Sequence, residues 1–421
     1  MLITDKTEGL NRIFSRKQTL SEGARKSVEE IIANVKEKGD DALFELTEKF
    51  DGIKLTADNI RITDEEIASA YKKVSPDLLA ALRRAMDNIR SYHEKQLLKG
   101  AYYENSPGAK TGYMIRPVSR AGIYVPGGKA SYPSSVLMTA IPAKVAGVKD
   151  IVMCTPGTSP LTIVAAAECG VSSIYRIGGA QAIAAMAYGT KCVPKADVIC
   201  GPGNMFVTEA KRLVYGDAGI DMIAGPSEIL IIADSTANPE FLAADLLSQA
   251  EHDEMAMAIL VTTDKNLAAQ TSEAVERRVK QLPKSVIAGK SINNFGTIII
   301  ADTLKECVQI SNEIAPEHLE LCVSDPESLL EFVHNAGAVF MGHWSPEPLG
   351  DYYAGTNHVL PNGGTARYFS ALGTSNFIKR ISLIKYDQQA LNSCANDIMS
   401  LAEAEGLNAH AESIRVRTEV K

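Results

Sequence analysis

The stretch EILIIAD, residues 228–234, is a run of large apolar residues closed by an aspartate. A continuous apolar run of this length is typical of a strand that is buried on both faces of a parallel sheet. Similar runs recur at AMAILVTTD (256–264), GTIIIAD (296–302), LELCVSD (319–325) and GAVFMG (337–342). Helical patterns lie between them, so the sequence predicts an α/β unit built on a parallel sheet.

A second series of short apolar runs precedes this one. Ile151 to Cys154, Ser173 to Ile177 and Val198 to Cys200 each lie next to a helical stretch of about ten to fifteen residues. The sequence therefore predicts two α/β units in series. Residues 1 to about 105 are predicted to be mostly helical, and an amphipathic helical arm is predicted from Tyr386 onward.

Composition narrows the class of protein. The 421 residues are 45% hydrophobic and 22% charged, which is typical of a globular protein with a full core. A net charge of -8, with Lys and Arg scattered along the chain, argues against nucleic-acid binding. The start MLITDKTEGLNRIF lacks the apolar core of a signal peptide, and no run of 18 apolar residues indicates a membrane span. We expect a cytoplasmic protein with reduced, mostly buried cysteines.

Glycine turns at strand ends favour nucleotide binding. They occur in IGGAQAIAAMAYG (177–189), CGPGNMFVTEAKRL (200–213) and GIYVPGGKASYPSSVLM (122–138). Such turns let backbone amides at a helix start approach a phosphate or ribose. None of them matches GxGxxG, and glycine also serves turns for steric reasons alone. Gln181 and Asn204, just past two of the turns, could contact a cofactor or could cap helices.

The stretch LLSQAEHDEMA, residues 246–256, places Gln249 and His252 one turn apart at the end of a helix that Asn238 and Pro239 should start. With Asp351 and His410, these side chains have the nitrogen and oxygen donors that a zinc ion without thiolates needs. Sequence spacing alone does not bring them together. A solvent-facing His252 and a Gln249 bound to a backbone carbonyl remain the alternative.

The pair Glu317–His318 follows Pro316, which biases Ala315 away from helix and places the pair at a turn or a strand entrance. Both side chains titrate at pH values useful for proton transfer. An exposed pair that caps a helix is the competing interpretation. Further along, residues 343–376 are predicted to form a long loop, which in a compact domain is usually functional or disordered.

Together these segments resemble the histidinol dehydrogenase family. The blocks GIYVPGGKASYPSSVLM, GGAQAIAA, GPGNMFVTEAK, AGPSEILIIAD, DLLSQAEHD, APEHLE and GDYYAGTNHVLPNGGTAR look like those of the family and come in the same order. They cover residues 115 to 380, and EGLNAH extends the likeness toward the C-terminus. We know of no other family that combines them.

The resemblance implies a zinc- and NAD-dependent oxidation of L-histidinol to L-histidine through L-histidinaldehyde. The implied zinc ligands are Gln249, His252, Asp351 and His410. The implied acid/base pair is Glu317 and His318. The implied NAD contacts are Tyr124, Gln181 and Asn204. The implied substrate contacts are Ser227, Gln249, His252, His318, Asp351, His358, Glu405 and His410.

The resemblance also implies a domain plan and a partner. Two Rossmann-like parallel-sheet domains are expected in tandem, with a helical N-terminal segment and a helical C-terminal arm. Residues 121–232 would bind NAD, and residues 20–120 with 233–380 would carry the zinc and acid/base residues. Residues 1–19 and 381–421 would be helical dimerisation segments. In the implied homodimer, the C-terminal arm crosses over and completes the partner's site.

Three other interpretations compete with this one. Aldehyde oxidation could use a cysteine nucleophile, for which Cys154 at a strand end is the candidate, although its apolar neighbours should raise its pKa. A zinc hydrolase could use the same ligands without a nucleotide. A non-enzymatic nucleotide-binding or scaffold protein would have no use for paired acid/base groups beside a metal.

Overall fold

The computed structural model describes residues 1–16, 22–127 and 132–419. It comprises two compact units, of which the first is Met1–Gln96 with Ser119–Phe377 and the second is Leu97–Val118 with Ile378–Lys421. Part of the turn predicted at 126–131, and residues 17–19 of the predicted N-terminal segment, lie outside the described residues.

The strands of the described residues are, in chain order, β1 (Leu2–Thr4), β2 (Ala101–Ser106), β3 (Ala109–Pro117), β4 (Arg120–Tyr124), β5 (Asp150–Cys154), β6 (Ser173–Tyr175), β7 (Val198–Cys200), β8 (Gly219–Ile220), β9 (Glu228–Ala233), β10 (Met257–Thr262), β11 (Thr297–Ile300), β12 (His318–Cys322), β13 (Ala338–Met341) and β14 (Ile378–Tyr386).

The helices of the same residues are α1 (Lys6–Phe14), α2 (Glu22–Lys38), α3 (Asp40–Asp51), α4 (Asp64–Tyr71), α5 (Pro76–Glu94), α6 (Pro133–Val145), α7 (Pro160–Glu168), α8 (Gly179–Tyr188), α9 (Met205–Val214), α10 (Pro239–Ala250), α11 (Lys265–Val279), α12 (Ser285–Phe295), α13 (Leu304–Ile314), α14 (Glu347–Tyr352), α15 (Gln388–Ala404) and α16 (Asn408–Thr418). Short 3-10 turns span Glu327–Phe332, Thr365–Arg367 and Thr374–Phe377.

The larger sheet of the first unit is parallel throughout its described pairs, in the order β1-β11-β10-β9-β12-β13. Strands β9, β10 and β12 are buried along their whole length, because helices cover both faces of the sheet. The apolar runs predicted to be buried parallel strands are therefore confirmed. The sheet also includes β1 of the N-terminal segment, which the sequence predicted to be helical.

The smaller sheet is also parallel, in the order β6-β5-β4-β7-β8. Its strands span residues 120–220, and all of these except residue 120 fall inside the predicted NAD-binding domain at 121–232. The small side chains of α8, many of them alanine, pack into the core beneath this sheet. The predicted class, two parallel-sheet α/β domains in tandem, is confirmed, whereas the predicted domain limits stay predictions.

Helix α10 begins where its sequence signals place it. Asn238 is the N-cap and accepts a hydrogen bond from the Glu240 N–H, and Pro239 is the first helical residue. The helix ends at Ala250, so Gln249 lies in its last turn and His252 just beyond it. The predicted start of this helix is confirmed.

The second unit contains an antiparallel sheet in the order β14-β3-β2, followed by α15 and α16. The predicted amphipathic arm from Tyr386 onward is confirmed for these two helices. The prediction that residues 381–421 are helical is wrong at its start, because residues 381–386 belong to β14. The strand sequence IKRISLIKY is rich in isoleucine and ends in tyrosine, and β-branched and aromatic residues favour strands.

All seven cysteines, each of them among the described residues, are free thiols, and five of them are buried. The expected reduced state is consistent with this. Within the described ranges, no helix has both the length and the apolar character needed to cross a membrane. The predicted cytoplasmic location stays a prediction.

A buried ion pair holds the glycine turn that follows β7. The Lys211 ammonium pairs with the Asp221 carboxylate, and both side chains are almost fully buried. Lys211 also donates to the carbonyl of Gly201 over 3.1 Å, while Asp221 accepts the Gly201 N–H at 2.8 Å. The pair therefore fixes both polar groups of the Gly201 backbone.

We expect the substitution Lys211→Met to lower the free energy of unfolding by about 3–5 kcal/mol, because it leaves the Asp221 charge buried without its partner. Lys6→Met is the control, since Lys6 pairs with Glu313 at the surface and should change stability by less than about 1 kcal/mol. Urea unfolding followed by circular dichroism measures both. Equal midpoints for the two variants would contradict the assigned role of Lys211.

Candidate active site

His318 is the first residue of β12, and its ring is held in one tautomer. Its Nδ1 lies 2.9 Å from the backbone carbonyl of Glu228. A carbonyl can only accept, so Nδ1 carries the hydrogen and Nε2 presents a lone pair. Burial lowers the pKa of His318 to about 4, so the ring is neutral at ordinary pH. Among the described residues, Nε2 has no hydrogen-bond partner. His318 is therefore placed to accept a proton.

Glu317, like His318, is held by the backbone of Glu228. Its Oε2 accepts the N–H of Glu228 at 3.0 Å and faces the Asn362 amide at 3.5 Å. Burial, and then the nearby charge of Glu228, raise the pKa of Glu317 well above its ordinary value. The exposed, helix-capping interpretation of the Glu317–His318 pair is wrong, because both side chains are buried and β12 begins at His318.

The entrance to β12 is shaped by the residues before it. Ala315 caps α13 in the left-handed conformation, with φ of 54°, and Pro316 follows. A non-glycine residue in this region carries local strain, which is often found near functional sites. The predicted departure of Ala315 from helix is confirmed.

Helix α14 brings two acidic side chains to the site. Glu347 and Asp351 are four residues apart on this short helix, so their side chains share one face. Burial and then the charge of Asp351 raise the pKa of Glu347 to about 8, and burial raises the pKa of Asp351 to about 6. His358 follows, with its Nδ1 3.6 Å from Asp351 Oδ1. The predicted loop at 343–376 thus contains the helix that carries Asp351.

Gln249 and His252 reach the same place from α10. The Gln249 side chain is buried beside Glu347, yet neither of its amide atoms makes a hydrogen bond within the described residues. His252 is exposed, and it lies near enough to His318 to add to the effect of burial in lowering the pKa of that ring, as does His358. The interpretation in which Gln249 binds a backbone carbonyl is therefore not supported.

The cluster fits a divalent cation. Ligand atoms of His318, Glu347 and Asp351 lie within 4.8 Å of one another, and the amide of Gln249 lies beside them. Gln249, His318 and Glu347 each have a buried polar atom without a partner in the described parts of the chain. Buried polar atoms normally have a hydrogen-bond partner, so these side chains have atoms available to coordinate a metal ion. Nitrogen and oxygen ligands are those that zinc accepts in catalytic sites.

The other predicted contacts lie at the carboxyl edge of the smaller sheet. Tyr124 ends β4, and its hydroxyl accepts the N–H of Gly179 at 3.1 Å, at the start of α8. Gln181 is buried in the first turn of α8. Asn204 is the N-cap of α9, where it accepts two backbone N–H groups. The helix-cap interpretation of Asn204 is confirmed, and a cofactor contact would be an additional role.

The turn before α9 accepts only glycine at its first position. Gly201 has φ of 118°, and a Cβ atom on it would collide with the carbonyl oxygen of Tyr124. The chain can therefore pass close to β4 on its way to the start of α9. A helix N-terminus beside a glycine turn at the carboxyl edge of a parallel sheet is a common nucleotide-binding arrangement.

A short linker leads from the carboxyl edge of the smaller sheet to the amino edge of the larger sheet. The smaller sheet ends with β8 at Ile220, and the larger sheet resumes at Glu228, so only residues 221–227 connect them. Glu228 and His318 stand at the amino ends of β9 and β12, which pair side by side. Asn362 fixes the linker by accepting the Gly225 N–H at 2.6 Å and donating to the Gly225 carbonyl at 2.9 Å.

Comparison with known proteins decides the family. The family model described as Histidinol dehydrogenase matches residues 14–418. The chain belongs to the histidinol dehydrogenase family. It is 53% identical over 411 residues to the histidinol dehydrogenase of Caldanaerobacter subterraneus subsp. tengcongensis, covering 97% of this chain and 95% of that protein.

Further relatives agree with this assignment. The chain is 52% identical over 402 residues to the histidinol dehydrogenase of Bacillus thuringiensis subsp. konkukian, covering 94% of this chain and 93% of the relative. It also resembles the crystal structure of histidinol dehydrogenase from Elizabethkingia anophelis, with a TM-score of 0.94 and 40% identity, over 99% of this chain and 98% of that one. The resemblance inferred from the sequence blocks is confirmed.

The structure brings many of the residues assigned by resemblance together. Gln249, His252, His318, Asp351 and His358 form one cluster with Glu317 beside it. Ser227 precedes Glu228 at the end of the linker. Glu405 and His410 lie on the second unit, where both are exposed. The individual roles of all these residues stay predictions.

The cysteine alternative has poor geometry. Cys154 is fully buried at the end of β5, and burial raises its pKa far above that of a free thiol. A nucleophilic cysteine needs an accessible thiolate. The structure gives this residue neither property.

Three residues of the site were missed in the sequence. Glu347 lies four residues before Asp351, a helical spacing that could have indicated a shared face. Glu228 begins an otherwise apolar buried strand, and an acidic residue at such a position indicates that its carboxylate is paired with another side chain. Asn362 lies in the turn PNGG, and nothing in its local sequence indicates its distant contacts.

The donor geometry yields a prediction about zinc affinity. If Asp351 is a zinc ligand and Glu347 supports it, Glu347→Gln should weaken zinc binding about 10- to 100-fold. Asp351→Asn should weaken zinc binding more than that. Competition with a chromophoric chelator measures both affinities, with His334→Ala, an exposed histidine elsewhere, as control. The reverse order would make Glu347 the ligand.

Proposed function

We propose that this chain oxidises L-histidinol to L-histidine through bound L-histidinaldehyde, with NAD as oxidant in both half-reactions. Membership of the histidinol dehydrogenase family supports this reaction and its place at the end of histidine biosynthesis. The observation that carries the chemistry is the neutral His318, whose Nε2 faces the acidic cluster while Nδ1 is held by Glu228.

The proposed zinc ligands are Gln249, His252 and Asp351 of one subunit with His410 of the partner subunit. Zinc, when bound, would hold the imidazole and amine nitrogens of the substrate, for which it has high affinity. This set contains one carboxylate, so one of the ion's two positive charges is left for the substrate. It also leaves His318 free to take a proton, which a His318–Glu347–Asp351 set would not.

In the first half-reaction, His318 accepts the alcohol proton at Nε2 as hydride leaves the carbinol carbon. The ring is ready for this role because its lowered pKa keeps it unprotonated and its Nδ1 contact fixes its orientation. Tyr124, Gln181 and Asn204, at the carboxyl edge of the smaller sheet, would hold NAD, which would supply the hydride acceptor.

In the second half-reaction, Glu317 takes a proton from the water that adds to the aldehyde. The hydrogen bonds found for Glu317 in the described residues involve Oε2, which leaves Oε1 for water. The raised pKa of Glu317 makes it a stronger base than an ordinary carboxylate once it is ionised. The resulting gem-diolate would then give its hydride to a second NAD and its remaining hydroxyl proton to solvent, which leaves the carboxylate of L-histidine.

Substrate binding is proposed to involve further residues around the cluster. Ser227 and His358 would contact the substrate from the linker and from the segment after α14. Glu405 would do so from the arm of the partner subunit. The exposure of Glu405 and His410 in a single chain supports their assignment to another subunit's site.

The division of labour predicts that Glu317→Gln slows aldehyde oxidation much more than alcohol oxidation. General base catalysis contributes about 100- to 10,000-fold, so the aldehyde rate should fall by a factor in this range. Single-turnover measurements of NADH formation, started from L-histidinol and from L-histidinaldehyde, separate the two steps. Equal losses in both half-reactions would refute the assignment.

The pH profile is the control for this experiment. Because burial raises the pKa of Glu317 well above the ordinary value for a glutamate, ionisation of this carboxyl should make the wild-type aldehyde rate rise with pH well above that ordinary value. The amide introduced by Glu317→Gln does not ionise, so the variant should lack this rise. A rise that persists in the variant would assign it to another group.

The shared site predicts complementation between two inactive variants. A mixture of His410→Ala and Asp351→Asn subunits, unfolded and refolded together, should regain about one quarter of wild-type activity, because half of the dimers are mixed and each has one intact site. Mixing His410→Ala with Glu405→Ala is the control, since both changes fall on the arm. If each subunit completed its own site, neither mixture would recover.

A further inference from the structure

The residue at the base of the Glu317–His318 pair is itself held by a buried charge from the N-terminal segment. The Arg16 guanidinium pairs with the Glu228 carboxylate, and their side chains are only 2% and 1% exposed. Arg16 follows α1, whereas Glu228 opens β9 more than 200 residues later. An ion pair this deeply buried is retained only when both charges are well compensated.

Arg16 joins the starts of two neighbouring strands. Besides Glu228, it donates from Nη1 to the carbonyl of Met255 at 3.0 Å. Glu228 is paired with Met257 in the register of β9 and β10, so both contacts lie at the amino edge of the larger sheet. Met255 also lies three residues after His252. One side chain therefore fixes the strand start behind His318 and the turn that follows His252.

The Glu228 carboxylate is further tied to the segment after the acidic cluster, because its Oε1 accepts the Gly363 N–H at 3.1 Å. Its backbone holds Glu317 through the N–H and His318 through the carbonyl. Any shift of Glu228 would consequently move both side chains that handle protons. The contacts of Arg16 with Glu228 thus connect the N-terminal segment to both of them.

We propose that Arg16 is a positioning residue for the oxidation of histidinol, acting through Glu228 to hold Glu317 and His318 in their working geometry. This role gives the N-terminal segment a function in catalysis beyond packing or dimerisation. It rests on the proposed function only in that histidinol oxidation is the activity measured.

The test is kinetic, with Arg16→Gln in the full-length, zinc-loaded enzyme. Removal of the guanidinium leaves the buried Glu228 charge uncompensated, so Glu228 should shift and misplace the base and the water-activating group. We expect kcat to fall about 10- to 100-fold, because small misplacements of catalytic groups cause losses of this size. The KM for L-histidinol should stay nearly unchanged. Rates are normalised to the concentration of folded, zinc-containing protein, so that unfolding of part of the sample does not lower the measured kcat.

A second substitution separates charge compensation from loss of packing. Glu228→Gln keeps the backbone contacts to Glu317 and His318 but removes the charge that Arg16 neutralises. The double variant with Arg16→Gln should therefore have a higher kcat than Arg16→Gln alone. Arg16→Lys, which retains the charge without the two-pronged guanidinium, should fall between Arg16→Gln and the wild type.

Arg12→Gln is the matched control. Arg12 lies on α1 and donates to the backbone carbonyl of Asn293, without contacting Glu228 in the described contacts. Its variant should keep the wild-type kcat even if its melting temperature falls. Equal kcat losses for Arg12→Gln and Arg16→Gln, or no rescue by Glu228→Gln, would overturn the proposal. Absence of histidinol oxidation by the wild type would refute the proposed function instead.

Discussion

The backbone of Glu228 is the constraint on which the site depends. Its N–H holds the carboxylate of Glu317 and its carbonyl holds Nδ1 of His318, so one peptide segment at a strand start orients both of the groups proposed to transfer protons. Backbone atoms of a buried strand are fixed by ladder hydrogen bonds, and β9 lies between β10 and β12. Such a frame keeps a base oriented without a flexible side chain, which is what preorganised catalysis requires.

The two α/β domains contribute opposite edges of their sheets. The smaller sheet presents its carboxyl edge, where the glycine turn at Gly201 and helix starts favour a nucleotide. The larger sheet presents its amino edge, where Glu228 and His318 begin neighbouring strands. The linker at 221–227 makes this arrangement possible because it leads directly from one edge to the other, and Asn362 clamps it at Gly225.

The sequence predicted what local patterns determine. Continuous apolar runs such as EILIIAD predicted the buried parallel strands, because helices cover both sheet faces, and the pair Asn238–Pro239 predicted the start of α10. The candidate site residues came from family-specific blocks, since spacing alone did not bring them together. Contacts such as Arg16 with Glu228 have no local signal, because the two residues are 212 positions apart and only the tertiary fold brings them together. Strand β14 has no counterpart among the predicted strands, because residues 381–421 are predicted to be helical throughout.

The central claim is that His318 is neutral, with its hydrogen on Nδ1 and its lone pair on Nε2. Nitrogen-15 NMR of histidine-labelled, zinc-loaded enzyme tests it directly, with the His318 signals assigned by their loss in His318→Gln. At about pH 7 we predict a protonated Nδ1 and an unprotonated Nε2, because burial lowers the ring's pKa to about 4 and the Glu228 carbonyl accepts from Nδ1. A hydrogen on Nε2, in the other tautomer or in an imidazolium ring, would contradict the account.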